Sequence, residues 1–179
     1  MADRSQGDIT IHGLIPSPAA LYDLATCWEL TDANAFEPSD LSQGPEDVAG
    51  MFFEAAESRN CLTFTHEQAA GGELEDAREI CKKHGVPYQQ HAHGCAYYDG
   101  TLWVYDGKNE PFSLLADMDG VAYISVPTLL EAMLEGDRTD DPSILSMLVD
   151  SSAVPDPSPV SLAFTREQYE TYLSENRKQ

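Results

Sequence analysis

Basic residues are scarce in this chain: four lysines and six arginines stand against 31 Asp and Glu, a formal net charge of −21 over 179 residues. So acidic a surface repels nucleic acid and anionic membrane and attracts basic surfaces, which excludes direct binding to a phosphate backbone or a headgroup layer as the expected activity. The acids are spread along the chain: residues 1–60 hold eleven acids and two bases, 61–110 eight and four, 111–179 twelve and four. That differs from the block of like charge in a solvated tail. No apolar run approaches membrane-spanning length, and the opening MADRSQGD is polar, unlike a secretory leader. A cytoplasmic protein is expected. The four cysteines, at 27, 61, 81 and 95, lack close pairing, which suits reduced thiols better than a disulfide framework. Also missing are G-x-x-x-x-G-K-[ST], G-x-G-x-x-G, EF-hand and H-E-x-x-H spacings, the usual signatures of phosphate cradles, calcium loops and zinc-protease helices.

Against these absences stand 42% hydrophobic and 9% aromatic residues, enough for a packed core, so the acidity belongs to a folded protein. Alternation predicts a first strand over 8–15 after a frayed terminus, with Ser17 capping and Pro18 opening a helix to about Leu30. Residues 31–44 are a polar loop, and Pro45 starts a helix with Val48, Met51, Phe52 and Ala55 inward. Residues 108–120 are a connection, 121–126 a short strand, and Pro127 opens a helix with Leu129, Leu130, Met133 and Leu134 on one side. A final strand over 160–164 enters a helix capped by Thr165 with Glu167 or Gln168 in capping-box range. The expectation is an α+β fold with a mixed or antiparallel sheet of five or six strands. Residues 1–150 form one domain, 151–159 a proline-rich linker, and 160–179 a strand and helix packed on that domain.

The segment 61–106 is the clearest. CLTFT is a strand; Gly71-Gly72 precede a helix with Leu74, Ala77, Ile80 and Cys81 as its stripe, acids at its start and Lys82, Lys83 and His84 at its end; Gly85 stops it. Strands then follow at 86–97 and 101–105 around Asp99-Gly100, a pair favoured in tight hairpins, which makes a β-α-β-β block. The pattern Glu67-x4-Gly72-x-Leu74-x5-Ile80, continued by Gly85-Val86-Pro87-Tyr88 and a Tyr/Asp-rich hairpin, resembles a module of small proteins carried by plasmids, phages and integrative elements. It departs from that pattern at Gln89, Gln90, His91 and His93, where charged residues are expected. The resemblance implies a mobile-element setting in a bacterial host and assigns no catalytic residue. In overall character the chain resembles acidic anti-defence proteins of the anti-restriction and anti-CRISPR kinds.

Two constellations carry chemistry. Cys81-x2-His84-x6-His91-x-His93-x-Cys95 supplies nitrogen and sulfur donors, and His91, His93 and Cys95 share one face of a strand, so these three are the candidate metal ligands. A cysteine with His84 or His91, assisted by Asp99, is the corresponding nucleophile arrangement. The acids form the second constellation: Glu29, Asp32, Glu37 and Asp40; Glu46, Asp47, Glu54 and Glu57; and Asp137, Asp140 and Asp141. Surplus like charge costs stability by self-repulsion, so it implies a basic partner, a high-salt habitat or mimicry of nucleic acid. The leading expectation is a non-enzymatic inhibitor, without a cofactor, presenting these carboxylates to the basic groove of a host nucleic-acid-binding defence complex. The alternatives are an immunity or antitoxin-like protein neutralising a basic toxin, and a small zinc-binding module or enzyme using His91, His93 and Cys95.

Overall fold

The computed structural model describes residues 4–31, 44–94, 99–139, 143 and 161–176. Within them six strands form one sheet: β1 (Arg4–Ile11), β2 (Leu62–Ala70), β3 (Tyr88–Ala92), β4 (Gly100–Tyr105), β5 (Phe112–Ala116) and β6 (Ala122–Tyr123). The order is β2-β1-β3-β4-β5-β6, with every pairing antiparallel. The helices are α1 (Pro18–Ala25), α2 (Trp28–Thr31), α3 (Pro45–Glu57), α4 (Glu75–His84), α5 (Val126–Thr139) and α6 (Arg166–Asn176). This is an α+β fold. No described helix is long and apolar enough to cross a membrane.

Alternation decides what each sheet face does. Ile9 and Ile11 of β1, Phe64 of β2 and Tyr88 of β3 point to the helical layer and join Leu21, Leu24, Phe52, Ala77 and Cys81 in the main core. Leu162 and Tyr172, from the C-terminal segment, belong to the same core. On the opposite face Leu102, Val104 and Ala116 make a smaller cluster with Phe112 and Ala122, and beside it Asp8 and His91 stand opposite one another on β1 and β3.

The helix ends follow local chemistry. Ser17 Oγ accepts from the Ala20 amide at 3.2 Å with Pro18 at the first helical position. Gly85 takes a left-handed φ of 66°, which lets the Val86 amide reach back to the Cys81 carbonyl at 2.9 Å. Thr165 and Gln168 form the reciprocal capping pair: the Thr165 amide donates to Gln168 Oε1 at 2.9 Å and the Gln168 amide to Thr165 Oγ1 at 3.3 Å.

Four expectations are corrected. Strand β1 begins at Arg4, because Arg4 already pairs with Ala70, and it ends at Ile11. The helix expected from Pro18 to Leu30 stops at Ala25, where Thr26 turns its hydroxyl back to the Tyr22 carbonyl at 2.8 Å, and a separate short helix follows. Asp99-Gly100 is not a two-residue hairpin turn: Ala92 pairs with Thr101, so Gly100 already lies in β4, too close to the carbonyls of Ala92 and Ala116 for any Cβ. The connection expected over 108–120 contains β5, paired along its length with β4.

Asp23 ties α1 to the end of α4, accepting from Lys83 Nζ at 2.6 Å and His84 Nε2 at 2.8 Å. The Lys83 bond, then the His84 bond, hold its carboxyl below the usual value of 3.8. A depressed carboxyl contributes stability that is present above the unfolded-state pKa and is lost as pH falls through the folded-state one. Asp23→Asn is therefore expected to lower stability at pH 7 by about 1 kcal/mol. The difference from wild type shrinks as pH drops below 3.8; thermal melts across that range read it directly.

Candidate functional site

Helix α3 turns Val48, Ala49 and Phe52 into the core and leaves Glu46, Asp47, Glu54 and Glu57 exposed. At 3.6 residues per turn, Glu46 and Glu57 fall within about 20° of one meridian and Asp47 and Glu54 within about 20° of another, a strip about 16 Å long. Asp47 also accepts from the Gly44 amide at 3.0 Å, completing the helix start. Among the described residues none of the four forms a salt bridge. Neighbouring α6 adds exposed Glu167, Glu170 and Glu175, of which Glu170 lies 3.5 Å from Arg166. The two helices are joined by stacking of Phe53 on Tyr169, ring centroids 4.7 Å apart.

Glu29 is a correction. It is not a surface contact but 5% exposed, and its Oε2 accepts from the Ala77 amide at 2.8 Å. It thus serves the first turn of α4 from outside that helix, where a carboxylate complements the positive end of the dipole. Burial raises its pKa, with the amide bonds opposing. Asp32, Glu37, Asp40, Asp140 and Asp141 lie outside the described residues, as does Cys95; Asp137 lies on α5.

The histidines form a cluster, though not the expected one. Asp8 is the Cα partner of His91, and His93 follows two residues on, its amide donating to the Gln6 carbonyl at 2.9 Å and so extending the ladder. All three side chains meet on the face away from the helices, with one potential ligand atom from each within 4.8 Å of the others. His93 Nε2 lies 2.6 Å from Asp8 Oδ2, and the two imidazole centroids are 4.0 Å apart. Gln6, at an irregularity in the β1–β2 register, donates to both Asp8 oxygens at 3.1 and 3.2 Å. His91 Nε2 is 3.0 Å from the Asp117 carbonyl, in a turn whose Gly120 has φ 76° and whose Cβ, if it had one, would sit 3.2 Å from His91 Nδ1. Burial, then the charge of His93, pushes the His91 pKa down. Partial burial opposes ionisation of Asp8, but hydrogen bonds from His93, Gln6 and Thr65 outweigh it and hold the carboxyl below its ordinary value.

The remaining donors of the expected cluster are elsewhere. Cys81 is fully buried in the main core, where burial keeps its thiol protonated, and His84 is engaged with Asp23. Cys27 is buried and pushed up to about 11. Neither thiol is a nucleophile at neutral pH. Asp8 was the residue sequence reasoning missed: its only local signal is that it alternates with Ile9 and Ile11. Comparison with family models, with curated proteins and with solved structures finds no match.

Proposed function

We infer that this chain is an acidic inhibitor that occupies the basic nucleic-acid site of a host defence protein, in the manner of anti-restriction and anti-CRISPR proteins. The observation that carries this reading is the α3 strip: four exposed carboxylates without a basic neighbour on their helix, in a protein of net charge −21. Its length of about 16 Å matches roughly five base-pair steps of a phosphate backbone. Long-range attraction steers the chain to a Lys/Arg-lined groove, and shape must then supply specificity. Exposed apolar residues for a locking contact are available on α5, where Val126, Leu130, Met133 and Leu134 are 49–67% exposed.

The test begins with capture of a partner from nuclease-treated bacterial lysate at low salt, followed by an assay of that partner's own DNA or RNA binding. The wild-type chain is expected to compete with nucleic acid and to lose its hold as salt rises. Simultaneous Glu46→Lys, Asp47→Lys, Glu54→Lys and Glu57→Lys is expected to weaken competition at least about tenfold. Undiminished competition by that variant would sink the reading.

A further inference from the structure

We propose that Asp8, His91 and His93 form a binding site for a divalent transition-metal ion of the zinc class, clamping β1 to β3 on the open face of the sheet. This is independent of the inhibitor reading.

The donor set is the first argument. Two imidazoles and one carboxylate suit zinc and its first-row neighbours, whereas calcium and magnesium seek oxygen. Geometry is the second. Donors on a tetrahedral zinc at about 2.0–2.1 Å lie about 3.3 Å apart, and the three atoms here fall within 4.8 Å. Small side-chain rotations close that difference while the backbone stays in register. The 2.6 Å contact between His93 Nε2 and Asp8 Oδ2 holds a proton where the ion would sit, and binding exchanges one for the other.

The surrounding bonds are those that orient metal ligands. A carbonyl oxygen only accepts, so His91 Nε2 carries the proton in its bond to the Asp117 carbonyl, which leaves Nδ1 with a lone pair. An imidazole with one nitrogen anchored to a backbone carbonyl is the usual arrangement behind a metal-bound histidine. Gln6 likewise holds both oxygens of Asp8. The Asp117–Gly120 turn packs against one side of His91, and side-chain exposures of 26% for Asp8 and 23% for His93 leave the outer side open. Three protein ligands then leave the fourth position to water or to a donor from a bound molecule.

The experiment is titration of chelator-stripped full-length protein with zinc alone, at near-physiological salt with excess magnesium so that diffuse attraction to the acidic surface is suppressed. One equivalent is expected to bind, and zinc is expected to raise the melting temperature. His91→Gln and His93→Gln should each weaken binding at least about tenfold, as should Gln6→Leu, which leaves the ligands in place. Cys61→Ser, at the partly exposed thiol, should bind as wild type does. In case the histidine variants fold poorly, imidazole nitrogen NMR of the unaltered protein gives the same answer: zinc should move the His91 and His93 signals and leave those of His12 and His84 in place. Absence of stoichiometric binding, binding kept in the two histidine variants, or signals that move at other histidines would overturn the proposal.

Discussion

Truncating Phe52 to alanine is expected to cost about 3–5 kcal/mol, a large share of the stability of an ordinary domain. Phe52 is fully buried, its ring centroid 5.6 Å from that of Phe64 on β2. Leu24, Val48 and Ala49 belong to the same core, so the void cannot collapse without shifting α3 on the sheet. Urea denaturation should show a lower midpoint with an unchanged slope. A loss below about 1 kcal/mol would mean that α3 is not seated as described. The acidic strip rides on this helix, so the variant also separates two effects that charge reversal alone does not. Phe52→Ala keeps every carboxylate and removes the anchor, and a fall in partner competition would then report on how rigidly the strip is held.

Gly7→Ala is the second large effect, expected at about 3 kcal/mol or more even though only one methyl is added. A Cβ there would lie 2.2 Å from the Gly72 carbonyl oxygen and 2.9 Å from its carbon, and both are backbone atoms with no rotamer to change. Gly7 pairs with His66 on one side and Ala92 on the other, so the strand can relieve the clash only by parting from the turn that closes β2. Gly7 also stands between Gln6 and Asp8. The variant should therefore lose zinc affinity as well as stability, whereas Phe52→Ala, on the opposite face, should lose stability alone. Melting curves with and without zinc distinguish the two.

What the sequence made legible was local. Helix α4 was set out by its apolar stripe, its acidic start, its basic end and Gly85, and each of these signals acts within about one turn of its own position. The same holds for Ser17 and for the Thr165–Gln168 pair. What it hid was pairing at a distance. Nothing near Asp8 says that β1 will lie between β2 and β3, so the carboxylate completing the histidine cluster was invisible while His91 and His93, two residues apart, were not. Glu29 failed for the same reason. On its own segment it is one acid among several, and only the arrival of the α4 start, 48 residues later, turns it inward. β5 was missed because Leu115 is exposed and blurs the alternation of its strand.

The interior position of β1, between β2 and β3, also bears on how the chain is made. Strand β1 is made before either of the strands it pairs with: Ile11 meets Leu62, and Asp8 meets His91, 83 residues further on. At about 5–20 residues per second, synthesis takes roughly 4–17 s to supply that second partner. Until β2 is made Ile9 and Ile11 lack the ladder they enter with Phe64 and Leu62, and contacts of such separation place the fold among slow rather than fast formers. The nascent chain must carry Ile9 and Ile11, both fully buried once folded, without their partner strand for seconds, with Arg4 and Asp8 on the same strand to keep it in solution.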